Sequence, residues 1–176
     1  WFPADKSAIF RADPCGFFNK DDVKLIYEYY DYSVKKGILK SCLYRGEAFS
    51  GEEKFLERDY HIAYPYTFTH EGEVYMTLES ALGNRVDLYQ LKKKDNFVFV
   101  KTLLENVDAV DPTIFYYQGN WWIFCTRKSF DSNTRLFAYY SNTLTGPYVP
   151  HSNNPVKVDV RSSRPGGRPF VCDNKF

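Results

Sequence analysis

The chain has 176 residues, of which 44% are hydrophobic and 26% charged, a composition ordinary for a globular protein and against a disordered one. Its 23 basic and 22 acidic residues leave a net charge of +1, so bulk charge directs it neither to nucleic acid nor to an anionic membrane surface. No apolar run approaches the roughly eighteen residues of a spanning helix, and the opening WFPADKSAIF lacks a signal-peptide pattern; no nucleic-acid partner and no membrane contact by this segment are expected.

Four short segments share one template: IFRADPCGFF around Pro14, IAYPYTF around Pro65, AVDPTIF around Pro112 and RPGGRPF around Pro165. They recur at intervals of about fifty residues, the length of a propeller blade in the longer repeat types. The first unit, about residues 8–58, reads as strands in PCGFFN, VKLIYEYYDYS, ILKSCLYR and KFLER, with a turn at Asp21-Asp22. The charged stretch GEEKFLERDY occupies the outer-strand slot and is taken as strand or loop rather than helix. The second unit, about 60–105, gives PYTFTH, a turn at Glu71-Gly72, EVYMTLES, a turn at Gly83-Asn84, RVDLYQLKK and FVFVKTLL. The third, about 108–160, gives PTIFYYQ, a turn at Gly119-Asn120, WWIFCTRK, RLFAYYS, a turn at Leu144–Pro147 and a last strand near VKVDV. The fourth, about 161–176, starts as RPFVCDNKF.

The expected fold is all-β: a β-propeller of four-stranded antiparallel blades, with three complete blades and the start of a fourth forming one partial domain over residues 1–176. Such a set does not close a ring. The chain is therefore expected to be part of a larger protein, with a further domain or a second copy completing the propeller.

The residue before each repeat proline varies while the apolar residues after it do not: Asp13, Tyr64, Asp111, Arg164. In a propeller these positions enter the innermost strands and converge on one mouth of the central channel, and a residue before proline is expected to be extended. Each Asp can equally cap nearby backbone N–H groups, but the pair at equivalent positions favours a site. Arg161, Arg164 and Arg168 surround Pro165-Gly166-Gly167, a grouping suited to bidentate capture of a carboxylate or phosphate. The alternatives are a solvated loop, or Arg164 paired with Asp13 or Asp111.

The segments RADPCGF and VDPTIFYYQGNWWIF resemble the five-bladed propeller superfamily of glycoside hydrolase family 43 and its relatives. With HIAYPYTFTHEGEVYMTLES, TLTGPYVPHSNNPV and SRPGGRPFV, the resemblance is closer to the propeller domain attached to glucosamine inositolphosphorylceramide transferases and bacterial formyltransferase-like proteins. It implies a carbohydrate-active domain binding a sugar or sugar phosphate within a larger glycan-modifying or glycosyltransferase protein. By position it makes Asp13 a general base and Asp111 the residue that tunes the acid. The relatives' acid is a glutamate in the fourth blade, where this chain has RSSRPGGRPF and no acidic residue. Glu79, at the end of the second unit's second strand, is the candidate substitute acid or sugar-binding group, against the reading of an exposed strand-end carboxylate. Catalytic candidates are thus Asp13, Asp111 and Glu79, and substrate-binding candidates Tyr64, Arg161, Arg164 and Arg168. An inverting hydrolase and a non-catalytic scaffold closed by an Asp–Arg pair are the alternatives.

His61, His70 and His151 share no spacing, and Cys15, Cys42, Cys125 and Cys172 form no metal-ligand pattern, so no metal and no cofactor are expected and the cysteines are read as buried free thiols. The unpaired cysteines and the lack of an Asn-x-Ser/Thr acceptor favour a cytoplasmic setting.

Overall fold

The structure is a computed structural model, and it describes residues 9–19, 22–46, 48–92, 96–170 and 172. Three antiparallel sheets follow one another along the chain. The first runs β1 (Ile9–Asn19), β2 (Asp22–Asp31), β3 (Lys36–Arg45) and β4 (Ala48–Leu56); the second β5 (Ala63–His70), β6 (Glu73–Glu79), β7 (Arg85–Leu91) and β8 (Phe97–Glu105). The third is β9 (Ala109–Tyr117), β10 (Asn120–Arg127) and β11 (Arg135–Ser141), edged by two short pieces, β12 (Val149–Pro150) and β13 (Lys157–Val158). Spatial order equals chain order in each sheet, and the first strands β1, β5 and β9 stand side by side. This is a β-propeller arrangement, with no α-helix among the described residues. None of their helical turns is long and apolar enough to cross a membrane.

Period-two alternation builds the blade interfaces. In β10, Trp121, Ile123 and Cys125 are buried against the second sheet, where they join Phe68, Val86, Leu88 and Leu103. Trp122 and Phe124 point the other way and stay half-buried. Between the first and second sheets, Phe17, Ile26 and Leu39 pack on Ile62, Met76 and Leu78. Each such aliphatic side chain contributes about 1.5–3 kcal/mol by leaving water.

The tight hairpins are set by backbone sign. Glu71-Gly72 and Gln118-Gly119 both have positive φ (50° and 79°, 48° and 82°), the pattern of a two-residue turn whose twist matches the flanking strands. The third unit's turn therefore lies one residue earlier than the expected Gly119-Asn120, because the glycine serves at the second turn position and Asn120 already pairs with Tyr117.

Two expectations about strands are corrected. The third unit's outer strand is divided, and Asn154 fills the gap: its side chain accepts from Ala138 N–H and donates to Ala138 C=O, both at 2.8 Å, standing in for a strand residue between two prolines. The fourth unit's residues 161–170 form turns and irregular chain rather than a strand, and Cys172 makes an isolated bridge. The rest of that strand, and Asp21 of the first turn, lie outside the described residues. Of the four free cysteines, Cys42 and Cys125 are buried, Cys15 is intermediate and Cys172 is exposed, so the buried-thiol reading holds for two of them.

Candidate functional site

In three of the four repeats the residue before proline is not extended. Asp13, Tyr64 and Asp111 have φ of 50°, 44° and 52°, in the left-handed region. At each, the ladder to the second strand of the blade slips, between Ala12 and Cys15, between Ala63 and Tyr66, and between the partners of Thr126 and Phe124. These are β-bulges repeated in the same place in three blades. Proline suits the bulge because it has no N–H to leave unpaired where the ladder breaks. Each left-handed non-glycine residue costs on the order of 1–3 kcal/mol, and in return all three side chains are aimed at the same cavity.

That cavity encloses about 480 Å³ and is lined by Asp13, Tyr64, Tyr66 and Asp111 on the blade side and by Gly167 and Arg168 on the other. Asp111 is buried, with Oδ2 accepting from Arg164 Nε at 2.5 Å. Its backbone N–H donates to Glu79 Oε2 at 3.2 Å. Glu79 is only 8% exposed, so it is not the exposed strand-end carboxylate of the alternative reading; it sits behind Asp111, off the cavity wall. The Tyr64 hydroxyl pairs with Thr113 Oγ1 at 2.9 Å and accepts from Gly167 N–H at 3.0 Å, tying the second and third blades to the Pro-Gly-Gly turn. Arg168 donates to Thr67 C=O at 2.9 Å.

The three arginines do not assemble into one anion site. Arg161 faces solvent and holds Asp159 through two contacts of 3.0 and 2.9 Å. Arg164 is committed to Asp111 and also reaches Asn133 Oδ1 at 3.3 Å. Only Arg168 lines the cavity itself.

Carboxyl groups dominate instead. Asp13 is open to solvent from within the recess, yet desolvation, and after it the charge of Asp111, raises its pKa, with Arg164 opposing. Burial is the first cause of the rise at Glu79, to about 8, followed by the charge of Asp111. A fourth carboxyl, Glu28 on β2, was not foreseen: it is 5% exposed and is pushed up to about 7 by burial first, then by Asp13 and Asp111. Beside it lies His61, its pKa lowered by burial and by Lys128. Glu28 carries a readable signal, since it shares the strand phase of Ile26, which faces the next blade. His61 carries none, because its position depends on how the linker between blades folds back. No cluster of three or more metal-donor side chains occurs among the described residues.

The fold is a β-propeller like that of solved glycoside hydrolases. Solved structures with this fold include a family 117 glycoside hydrolase of Zobellia galactanivorans (TM-score 0.68, 14% identity, 90% of this chain, 60% of that one). A xylan β-1,4-xylosidase of Bacillus halodurans C-125 is similar (TM-score 0.61, 13% identity, 86% and 32%). Residues 3–176 match the family model described as glucosamine inositolphosphorylceramide transferase 1, N-terminal, and the chain belongs to that family. Curated relatives named glucosamine inositolphosphorylceramide transferase 1 are 29% identical over 174 residues in Oryza sativa subsp. japonica and 26% in Arabidopsis thaliana. The match covers 95% of this chain and 23% of each relative.

Proposed function

We propose that the chain is a carbohydrate-binding domain of five-bladed propeller type that serves a larger glycan-building or glycan-modifying protein, with the cavity at Asp13, Tyr64 and Asp111 as its sugar site. The observation that carries this reading is the convergence of three equivalent bulge residues on one cavity. Asp13 accepts hydroxyl hydrogen bonds, Asp111 is held rigid by Arg164 and Glu79, and Arg168 with the Gly166-Gly167 backbone forms the facing wall. With Arg161 turned away and Arg164 already neutralised, a sugar's hydroxyl groups are better matched than a phosphate. The family and the fold neighbours support a carbohydrate role of this kind.

A working inverting hydrolase ranks second. What favours it is the setting of Glu79, where burial and then the charge of Asp111 push the pKa up to about 8, the direction an acid needs, with Asp13 taken as the base in this reading; an inverting pair is separated by roughly 6.5–9.5 Å to admit water. Against it, Glu79 stands behind the backbone of Asp111 rather than on the cavity wall. A scaffold closed by an Asp–Arg pair ranks third, because Arg164 binds Asp111 and leaves the cavity at Asp13 open.

The test is retention on immobilised neutral sugars, amino sugars and sugar phosphates. The reading requires at least one to be retained and the retention to drop at least tenfold in Asp13→Ala. Retention unchanged in both Asp13→Ala and Arg168→Ala removes the cavity from consideration. Turnover of aryl glycosides by the full-length protein, lost in Asp13→Asn and in Glu79→Gln, promotes the second reading over the first.

A further inference from the structure

Three aromatic rings gather at the start of the first blade, outside its core. In the β1–β2 ladder Phe10 faces Tyr30 and Ala12 faces Glu28, both pairs on one face of the hairpin, and Tyr32 follows in the turn after β2. Ring centroids lie 5.2 Å apart for Phe10 and Tyr30, 5.7 Å for Phe10 and Tyr32, and 5.0 Å for Tyr30 and Tyr32. None of the three belongs to the apolar cores between sheets, and Phe10 and Tyr32 are 37% and 57% exposed.

The cluster is braced from two sides. Asp31 Oδ1 accepts from the Ser33 N–H at 2.8 Å and from the Ser33 hydroxyl at 2.6 Å, fixing the turn that carries Tyr32. On β3 the partner of Tyr30 is Gly37, and His61 takes the place of the missing side chain. Gly37 N–H donates to His61 Nδ1 at 2.9 Å, and the imidazole meets Tyr30 edge-on at 5.6 Å. A Cβ on Gly37 would lie 2.7 Å from His61 Cε1 and Nδ1, so the absence of one is what admits the ring. Side chains held in this way lose little further freedom when a ligand lands on them.

We propose that Phe10, Tyr30 and Tyr32 form a stacking platform for a second sugar unit, glycosidically linked to one seated in the cavity. This rests on the cavity being the sugar site. Phe10 stands three strand residues from Asp13, about 10 Å along β1, and Asp13 both lines the cavity and is exposed, so the platform continues the rim of the cavity. A pyranose presents C–H groups on its faces and hydroxyls around its edge. The electron-rich face of an aromatic ring attracts those polarised C–H groups, and the two phenol hydroxyls meet sugar hydroxyls at the ring edges. A protein partner fits less well. Three partly covered rings of about 150–250 Å² each, set among Asp31, Ser33 and Lys36, fall short of the about 800 Å² per partner of a stable protein interface.

The experiment is calorimetric titration of the full chain with cellobiose, maltose, lactose, xylobiose and chitobiose, each beside its monosaccharides. At least one disaccharide is expected to bind more tightly than its monosaccharides. Tyr32→Ala and Phe10→Ala are then expected to weaken that disaccharide about two- to tenfold and to leave monosaccharide affinity unchanged, while Tyr32→Phe, which keeps the ring, retains most of the gain. Melting temperatures establish that each variant is folded. Equal affinity for disaccharides and monosaccharides across the set, or a disaccharide affinity unchanged in both folded alanine variants, overturns the proposal. Binding lost in Asp13→Ala and indifferent to the ring variants keeps the cavity and removes only the platform. Binding that depends on the rings and is indifferent to Asp13→Ala and Arg168→Ala removes the cavity, and the linked arrangement with it. A change of oligomeric state in Tyr32→Ala with sugar affinity unchanged assigns the rings to a protein contact and also overturns the proposal.

Discussion

Arg164 and Asp111, 53 residues apart, are joined by a 2.5 Å contact from Nε to Oδ2 that fastens the fourth repeat to the inner strand of the third. The aspartate side chain is 7% exposed and the arginine 47%. Breaking a fully buried pair from one side costs about 3–5 kcal/mol, because the remaining charge is left uncompensated. With the guanidinium half in water the effect is discounted, and Arg164→Ala is expected to destabilise by about 1–3 kcal/mol in urea unfolding. The same variant removes an influence that lowers the pKa of Glu79, so Glu79 is expected to titrate higher still.

Stability is expected to fall as pH rises through neutrality. Burial is the main cause of the raised pKa values, from 4.5 to about 8 at Glu79 and to about 7 at Glu28. The folded state then binds more protons than the unfolded one between the unfolded and folded values, so this contribution is complete below about pH 4.5 and is lost on the way to about pH 8. Carboxyls shifted the other way, such as Glu52, lowered to about 2, act only below that window. Melting should be higher near pH 5.5 than near pH 8.5, and Glu28→Gln with Glu79→Gln should flatten the slope. A melting curve that rises across the interval contradicts the assignment.

Gly37→Ala is expected to cost about 1–3 kcal/mol through overpacking, since its Cβ would meet His61 and Glu28 below 3 Å. The glycine φ lies outside the left-handed region, so conformational freedom is not the issue. In a double-mutant cycle with His61→Ala most of that cost should disappear, because the ring it strikes is gone. Additivity of the two changes would show that the clash is relieved elsewhere.

Tyr64→Phe removes the hydroxyl that links Thr113 to Gly167 N–H while keeping the buried ring. A loss of about 1 kcal/mol is expected, with faster amide exchange at Gly167 and little change at the Gly72 and Gly119 turns. Equal acceleration everywhere would indicate global destabilisation instead of release of the Pro-Gly-Gly turn.

Strand order, hairpin positions to within a residue, and the blade repeat were legible because they depend on local chemistry: alternating aromatic residues, Gly at turns, and Pro at one recurring place. The site was legible only in part. Asp13, Tyr64 and Asp111 could be aligned by their prolines, but the left-handed backbone that aims them inward arises where the ladder to the next strand slips, which is a pairing property. Glu79 was named for its strand end, yet its role of holding the Asp111 backbone depends on how β6 meets β9. Arg161 was grouped with Arg164 and Arg168 by proximity in the chain, and the turn sends it outward to Asp159. The outer strand near VKVDV was drawn as continuous because nothing local reveals that Asn154 replaces a strand residue.

By itself, then, the amino-acid order determined an all-β repeat and marked one variable position per blade, because periodicity and turn preference act over a few residues. The tertiary structure decided which marked residues face one another, which arginine is spent on which carboxylate, and that Glu28 meets His61 over Gly37. Those outcomes follow from desolvation and charge between groups far apart in the chain, and such energies exist only once the blades are packed.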